Sequence, residues 1–492
     1  MQIHTPNWVK HAVFYQIFPD RFARTVPPHQ KWLLDVPLEN WDAPPTFHGY
    51  KGGNLWGAIE QLDYLQDLGI NAIYLNPIFS SASNHRYHTL DYYQVDPLLG
   101  GDEAFASLLK EVHRRNIKLV LDGTFNHASR GFYFFNDILE NGSNSPWVDW
   151  FKIKGWPISP YDESRPANYA SWNDHRALPE FNTDHPGVRE YIMRVGEHWI
   201  KLGADGWRLD SADYIKTPGF WQEFRDRVKA INPEAYIVGE IPMDASEWLD
   251  GTQFDGVSSL PFLNATTAFV VGDRQVKGHF KEYAPPPPID AAGYGDKINE
   301  LLQVYPWEIQ LTQLNGINNH DTARLIDVAG GDRPSLYLAT LLLFTFPGAP
   351  CIYYGDEVGL TGGYDPDCRK AFPSQQEWER DILEYHRQLI TLRHTHAELR
   401  IGEYQTLYAE GQIYVFARIL AEEVLVIAVN AGNETAEVSI QPSWHSLAEA
   451  SASSEPNQVL FTYGSNEVNW SGEAAQRSLN FTLAPRCGLI LG

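Results

Sequence analysis

Short apolar runs alternate with amphipathic helical patterns from residue 12 to about residue 396. The runs are rich in β-branched and aromatic residues, as buried strands are, whereas the stretches between them repeat apolar residues every three or four positions, as helices do. Eight strands alternating with helices predict a parallel sheet, and a closed (β/α)8 barrel, an α/β fold, satisfies that pattern. The eight runs are AVFYQIFP, AIYLNPIF, IKLVLDGTF, DGWRLDSA, AYIVGEI, FDGVSSLP, LTQLNGIN and PCIYYGDE.

An open doubly wound sheet is the alternative arrangement of the same elements. No glycine-rich GxGxxG segment follows the first run, and this absence favours the barrel. The last helical pattern has a single apolar stripe, formed by Trp378, Ile382, Tyr385, Leu389 and Leu392.

Two long connections and a change of pattern divide the chain into domains. The third run ends near His127 but the next helical pattern begins near Pro186, a gap too long for a plain loop. We therefore expect an inserted subdomain at 128–185 and a barrel made of 1–127 and 186–399. From residue 400 to residue 492, short strands separated by Gly, Asn and Ser predict a C-terminal β-sandwich. The run APPPPID before the seventh strand predicts a stiff surface loop.

Composition narrows the class of protein. The net charge of −24 argues against a nucleic-acid partner, because phosphate backbones are bound by Lys and Arg. Only three cysteines are present, which is typical of a reducing compartment. Neither a cationic leader nor an apolar run long enough to span a bilayer is found, so we expect a soluble cytoplasmic protein without a membrane partner. The aromatic content of 13% fits either a sugar-binding cleft or the core of a large α/β enzyme.

Two carboxylates carry the candidate chemistry. Asp210 ends the fourth run and Glu240 ends the fifth, about one strand–helix–strand unit apart, so both should emerge on the same rim of a parallel sheet. Paired carboxylates across a cleft are the minimal equipment for cleaving a glycosidic bond. Other polar residues at the ends of predicted strands are Asp122, Asn126, His127, Arg208, His320 and Asp321.

The segments DGTFNH, GWRLDSAD, VGEI and NNHD, in this order, resemble the four signature segments of the α-amylase family, glycoside hydrolase family 13. GINAIYLNPIF, LPEFN and YYGDE agree with the same family. Within it, LPEFN and GGYDPDCRKAF resemble the group of cyclomaltodextrinases, neopullulanases and maltogenic amylases. The resemblance is to a short form of that group, comparable to a debranching enzyme, because the first barrel strand begins by Ala12 and leaves no room for the usual N-terminal domain.

The resemblance implies a role for each candidate residue. Asp210 is the expected nucleophile, Glu240 the general acid/base and Asp321 the third acid at the reacting ring. Arg208, two residues before Asp210 and so on the same strand face, should keep the nucleophile ionised. Attack by Asp210 and proton transfer by Glu240 imply a retaining mechanism, with the two carboxyl groups about 5–5.5 Å apart. Substrate contacts are expected from Tyr87, His127, Arg208, His320, Asp365 and Arg369.

Three departures from the group leave the specificity open. Without the N-terminal domain, any homodimer must use another surface. The loop DRFARTVPPHQ offers almost no carboxylates for calcium, and Asp213 and Tyr214 stand where a calcium-binding His is usual, so we expect no metal and no cofactor. Pro242 replaces a Trp on the leaving-group side, and SADYI replaces an acidic segment.

The expected activity is hydrolysis of α-1,4 and, as an open alternative, α-1,6 bonds in maltooligosaccharides, cyclodextrins, pullulan or branched oligosaccharides. A glucanotransferase or an exo-acting α-glucosidase of the same family would use the same acids. A non-catalytic sugar-binding homologue is the alternative from another class, but such proteins usually lose one of the three acids.

Overall fold

The structure is a computed structural model that describes residues 3–279, 285–441, 456–472 and 477–492. The chain divides into two compact units, which are described separately. The first contains Met1–Trp8, Phe14–Ser258 and Arg369–Phe372, and the second contains Val9–Val13, Ser259–Cys368 and Pro373–Gly492.

Strands and helices alternate through most of the described chain. The strands are β1 (Phe14–Ile17), β2 (Ala72–Leu75), β3 (Phe79–Ser81), β4 (Thr89–Val95), β5 (Lys118–Gly123), β6 (Gly206–Leu209), β7 (Tyr236–Gly239), β8 (Gly256–Val257), β9 (Leu314–Asn315), β10 (Ala349–Tyr353), β11 (Glu403–Glu410), β12 (Ile413–Leu420), β13 (Glu423–Asn430), β14 (Ala436–Ile440), β15 (Val459–Tyr463), β16 (Asn466–Ser471), β17 (Ser478–Leu483) and β18 (Cys487–Leu491). The helices are α1 (Asn7–Lys10), α2 (Pro19–Phe22), α3 (Leu55–Glu60), α4 (Leu62–Leu68), α5 (Gly101–Arg114), α6 (Tyr133–Asn141), α7 (Pro186–Leu202), α8 (Phe220–Ile231), α9 (Leu260–Val270), α10 (Ala291–Val304), α11 (Trp307–Gln310), α12 (Leu325–Val328), α13 (Arg333–Thr345), α14 (Arg380–Thr395) and α15 (Ala397–Ile401).

The first unit contains six parallel strands in the order β8-β7-β6-β5-β2-β1. Every residue of β1, β2, β6 and β7 is buried, as expected for a parallel sheet covered on both faces. The register matters for the site, because it sets Asp122 of β5 beside Arg208 of β6 and Arg208 beside Val238 of β7. Residues that follow these strands therefore emerge at one edge.

The segment between β5 and α7, the expected insertion, belongs to the first unit. It contains α6, short 3-10 turns and isolated bridges such as Phe151 to Phe181 and Ser171 to Pro179. Its core is aromatic, with buried rings contributed by Phe132, Phe135, Phe151, Tyr169 and Phe181. Part of the aromatic content of the chain therefore forms the core of this segment. The domain boundaries drawn from the sequence stay a prediction.

The second unit contains the parallel pair β9 and β10, with Ala349 beside Leu314. It also contains two antiparallel sheets, β11-β12-β13-β18-β15 and β14-β17-β16. Apolar side chains of both sheets share one core, in which Val415 and Val426 of the larger sheet lie with Val438 and Phe481 of the smaller one. This is a two-layer β-sandwich.

Each of the eight runs expected to form barrel strands contains a parallel strand, six in the first unit and two in the second. The C-terminal runs YQTLYAEG, IYVFARIL, EVLVIAVNA, AEVSI and RSLNFTL, which the sequence predicts as short strands, contain β11, β12, β13, β14 and β17. Residues 285–290 of the proline run have no regular structure, whereas Ala284 lies outside the described residues. Across the part of the chain that the structure describes, no helix is long and apolar enough to cross a membrane.

Candidate active site

One guanidinium group joins three carboxylates at the edge of the first unit's sheet. Nη1 of Arg208 donates to Asp122 at 3.0 Å and to Asp210 at 2.9 Å, and Nη2 lies 2.5 Å from Oε1 of Glu240. Backbone bonds continue the ladder here: the Asp210 N–H donates to Gly123 and the Glu240 N–H to Leu209. The strand register therefore brings together the two acids that the sequence singles out.

Asp122 is the member of this cluster to which the sequence pattern assigns no role. Its carboxylate is buried and accepts hydrogen bonds from the hydroxyls of Tyr74 at 2.6 Å and Tyr87 at 2.9 Å, in addition to Arg208. Burial raises the pKa of Asp122, against the opposing effect of Arg208. The signal that could have revealed it is positional, because Asp122 and Arg208 occupy the same level of neighbouring strands.

The charge state of Asp210 is set by opposing effects. Burial and the neighbouring Glu240 raise the pKa of Asp210 well above its ordinary range, while Arg208 lowers it. The expected influence of Arg208 on the pKa of Asp210 is present but is outweighed by burial and by the charge of Glu240.

Glu240 is the more accessible of the two acids. Its side chain is 29% exposed, compared with 11% for Asp210. Its second oxygen, Oε2, accepts a hydrogen bond from the backbone N–H of Ser211 at 3.0 Å. Glu240 therefore lies on the more exposed side of the cluster, with one oxygen held by Arg208 and the other by Ser211.

Two expected sugar contacts lie beside the cluster. The Tyr87 hydroxyl donates to Asp122 and accepts a hydrogen bond from the amide of Asn76 at 3.0 Å. These two bonds fix the position of the half-buried Tyr87 ring. His127 is buried, and its ring lies against Trp172 with centroids 5.6 Å apart. Burial lowers the pKa of His127 to about 3, so the imidazole is neutral at physiological pH. A neutral imidazole can bind sugar hydroxyls without adding charge.

The second unit places His320 and Asp321 together. Nε2 of buried His320 lies 3.2 Å from a carboxylate oxygen of Asp321, whose side chain is 50% exposed. A buried hydrogen-bond network holds the loop that carries His320 and Asp321, since the Asp356 carboxylate accepts hydrogen bonds from both Asn318 and Arg324 at 2.6 Å.

The two remaining candidates belong to different compact units. Asp365 is half-buried in the second unit. Arg369 belongs to the first, where its guanidinium lies 5.5 Å from the centroid of the Phe18 ring. Among the described residues, no group of three or more His, Cys, Asp or Glu side chains is arranged to hold a metal ion.

A family model for the α-amylase catalytic domain matches residues 16–384, and a model for the α-amylase C-terminal domain matches residues 402–450. The chain belongs to the α-amylase family. This α-amylase-family chain is accordingly a glycoside hydrolase. Membership confirms the fold class expected from the sequence, a (β/α)8 barrel followed by an all-β domain.

Three similar proteins show which group within the α-amylase family the chain resembles. The solved structure of a debranching enzyme from Nostoc punctiforme is 61% identical with a TM-score of 0.92, and each chain covers 100% of the other. A cyclomaltodextrinase from Geobacillus thermopakistaniensis is 40% identical over 88% of this chain and 71% of its own length. An intracellular maltogenic amylase from Bacillus subtilis is 34% identical over 89% of this chain and 71% of its own. The expected resemblance to this group is confirmed.

Proposed function

We propose that the chain is a retaining α-glucan hydrolase in which Asp210 is the nucleophile and Glu240 the general acid/base. The observation that carries the proposal is the Arg208 guanidinium, which binds both carboxylates in a chain of the α-amylase family. A retaining glycosidase needs two carboxyl groups close together, about 5–5.5 Å apart, and a shared guanidinium supports such proximity.

The reaction proceeds in two displacements. Asp210 attacks the anomeric carbon while Glu240 gives its proton to the glycosidic oxygen, so that the bond breaks, the leaving sugar departs and a glycosyl-enzyme ester forms. Glu240, now ionised, takes a proton from water, and the resulting oxygen nucleophile displaces Asp210. Each displacement inverts the anomeric carbon, so the net result is retention.

The remaining candidates are assigned to substrate binding. Tyr87 would offer an aromatic platform to a glucose ring, and neutral His127 would bind its hydroxyls. We assign His320 to the same task and Asp321 to the third acid. Asp365 and Arg369 would bind glucose further along the non-reducing side. Single substitutions of Asp365 or Arg369 should raise KM for maltotriose more than for the shorter maltose, because these two residues would bind the glucose that maltose lacks.

We propose α-1,4 hydrolysis as the main activity and α-1,6 cleavage of branches as a second. The names of the cyclomaltodextrinase and the maltogenic amylase support the first, and the 61% identity to a debranching enzyme over the full chain supports the second. Pullulan separates the two, because panose forms by α-1,4 cleavage and maltotriose by α-1,6 cleavage. Incubation with cyclodextrin, maltotriose and a branched oligosaccharide completes the profile.

Proton NMR of the first product tests the chemistry independently of the linkage. Retention predicts that the α-anomer appears first and then mutarotates. A β-anomer would contradict the roles of Asp210 and Glu240. Longer products at high acceptor concentration would instead indicate a glucanotransferase, which uses the same two displacements.

Cytoplasmic location is also proposed, since the Bacillus subtilis relative is named as intracellular; cell fractionation tests it.

A further inference from the structure

Ser211, the residue after the proposed nucleophile, has an unusual backbone. Its φ of 45° and ψ of 45° lie in the left-handed region, which non-glycine residues seldom occupy and which costs of order 1 kcal/mol or more. This conformation directs the Ser211 N–H at Oε2 of Glu240, 3.0 Å away. A strained residue that reaches a proposed catalytic group suggests a functional reason for the strain.

The side chain of the same serine is held from the inserted segment. The indole N–H of Trp172 donates to Oγ of Ser211 at 3.1 Å. Trp172 lies at the start of a tight turn in which Asn173 and Asp174 also have positive φ values, 45° and 60°. The ring of Trp172 also packs against the ring of His127, which lies beside the Arg208 cluster.

Glu240 thus has two anchors of different kinds. Arg208 is 3% exposed and tied to Asp122, so it is fixed by the sheet. Ser211 lies on a turn after the sheet and is tied through Trp172 to the insertion. A change at Trp172 can therefore reach Oε2 while leaving the Arg208 contact with Oε1 in place.

We propose that Ser211 is a positioning residue for Glu240 and that Trp172 holds it in place, so that the inserted segment sets the orientation of the acid/base. The proposal rests on the proposed function, since it presupposes that Glu240 protonates the leaving group. It predicts a defect confined to proton donation when either side of the Trp172–Ser211 contact is removed.

Leaving-group dependence measures that defect. Maltotriose needs protonation of a sugar alkoxide, whereas a dinitrophenyl α-maltoside releases a stable anion without an acid. For Trp172→Phe and Ser211→Gly we expect kcat/KM to fall roughly tenfold on maltotriose and less than about twofold on the dinitrophenyl substrate. Glycine accepts φ 45° without strain, so Ser211→Gly removes the Oγ anchor at little risk to folding. The double variant should be no worse than the more damaged single variant.

A matched control separates this effect from the loss of any indole bond. Trp56 is half-buried like Trp172, and its indole N–H also donates to a side-chain oxygen, that of Gln30 at 3.0 Å. Trp56→Phe should leave kcat/KM on both substrates within about twofold of the parent. Thermal melts of all variants identify losses that come from unfolding.

Glu240→Ala distinguishes failure of this inference from failure of the proposed function. If Glu240 is the acid/base, Glu240→Ala loses maltotriose activity, retains the first step on the dinitrophenyl substrate and forms a maltosyl azide when azide is added. Equal losses of Glu240→Ala on both substrates, with no azide product, would reject the acid/base role itself. If Glu240→Ala behaves as expected but Trp172→Phe and Ser211→Gly lose activity equally on both substrates, or on neither, the positioning role is wrong.

Discussion

At the scale of single residues, the main feature of the site is the unequal number of positive and negative groups in the Arg208 cluster. Three carboxylates share one guanidinium, and burial removes most of the water that would otherwise support their charge. We infer that this arrangement lowers stability for the sake of the proposed catalysis, as active sites often do. Both the free energy of unfolding and the pH dependence of activity can be measured.

Asp210→Asn is expected to make the protein more stable at pH 8. The pKa of Asp210 is raised in the folded state, so the folded protein binds this proton more tightly than the unfolded chain does. Wild-type stability therefore falls as pH rises from the ordinary carboxyl range through the raised pKa, and Asn has no such dependence. The free energy of unfolding should increase by at least about 1 kcal/mol at pH 8, the equivalent of one pKa unit, and by less at pH 4. Urea unfolding at both pH values measures it; equal or lower stability of the variant at pH 8 contradicts the argument.

Asp122→Asn should shift the acid limb of the activity profile. The negative charge of Asp122 raises the pKa of Asp210 and also shares Arg208 with it. Without that charge, Asp210 ionises at lower pH, so the acid limb of kcat/KM should move to lower pH even though the rate at the optimum falls. A limb that stays in place or moves to higher pH would show that Asp122 does not act on Asp210 through charge.

The sequence could predict the acids but not their connections. Asp210 and Glu240 follow strands one unit apart, and the geometry of parallel sheets is enough to bring them to one rim. The contact of Trp172 with Ser211 depends on how the insertion folds back, and the left-handed backbone of Ser211 has no signature, since serine rarely adopts it. Long-range packing and local strain are the information that a pattern of residue types lacks.

At the scale of elements, two buried arginines of the second unit bind the carbonyls at helix ends, and one of them, Arg418, ties these ends to the β-sandwich. Arg418 of β12 is fully buried and donates to the backbone carbonyls of Thr345, Leu399 and Gly402. Arg393 of α14 shares the Leu399 carbonyl and also binds that of Phe344. These carbonyls lie at the ends of α13 and α15, where a helix leaves its last acceptors unsatisfied.

Arg418→Met should therefore destabilise the protein without touching the chemistry. The buried carbonyls of Thr345 and Gly402 would lose the Arg418 donor, and each unsatisfied group costs about 1–3 kcal/mol, so we expect a loss of about 3 kcal/mol in the free energy of unfolding. Arg380→Met, at an exposed position, should change it by less than about 0.5 kcal/mol. Denaturant titration gives the stabilities, and kcat/KM of the folded fraction should be unchanged. Equal stability of the two variants would contradict the role of Arg418.

The elements that the sequence missed share a physical cause. Strand β16 alternates exposed and half-buried residues and is mostly polar, so it does not match a strongly apolar strand. The stretch LWGAIEQLDYLQDLG at 55–69 has the pattern of one amphipathic helix but forms two, α3 and α4, separated at Gln61, where neither Gly nor Pro signals a break. Tertiary packing decides such cases over local preference.

At the scale of the whole molecule, family membership and site geometry support the same chemistry. The chain is matched by the α-amylase catalytic and C-terminal models, and the paired acids of the first unit lie on one guanidinium. The insertion that the barrel carries after β5 supplies Trp172 and, through Ser211, reaches Glu240. A family with common acids can thus vary its reactivity through the segments that hold them.

Covalent trapping tests the central claim most directly. A 5-fluoro maltosyl fluoride forms the glycosyl-enzyme faster than water removes it, so the intermediate accumulates and can be located by mass spectrometry of a proteolytic digest. The account predicts one maltosyl-sized adduct, on the peptide that contains Asp210, and none in Asp210→Asn. An adduct on another residue, or turnover of the reagent with inversion and no adduct, would contradict it.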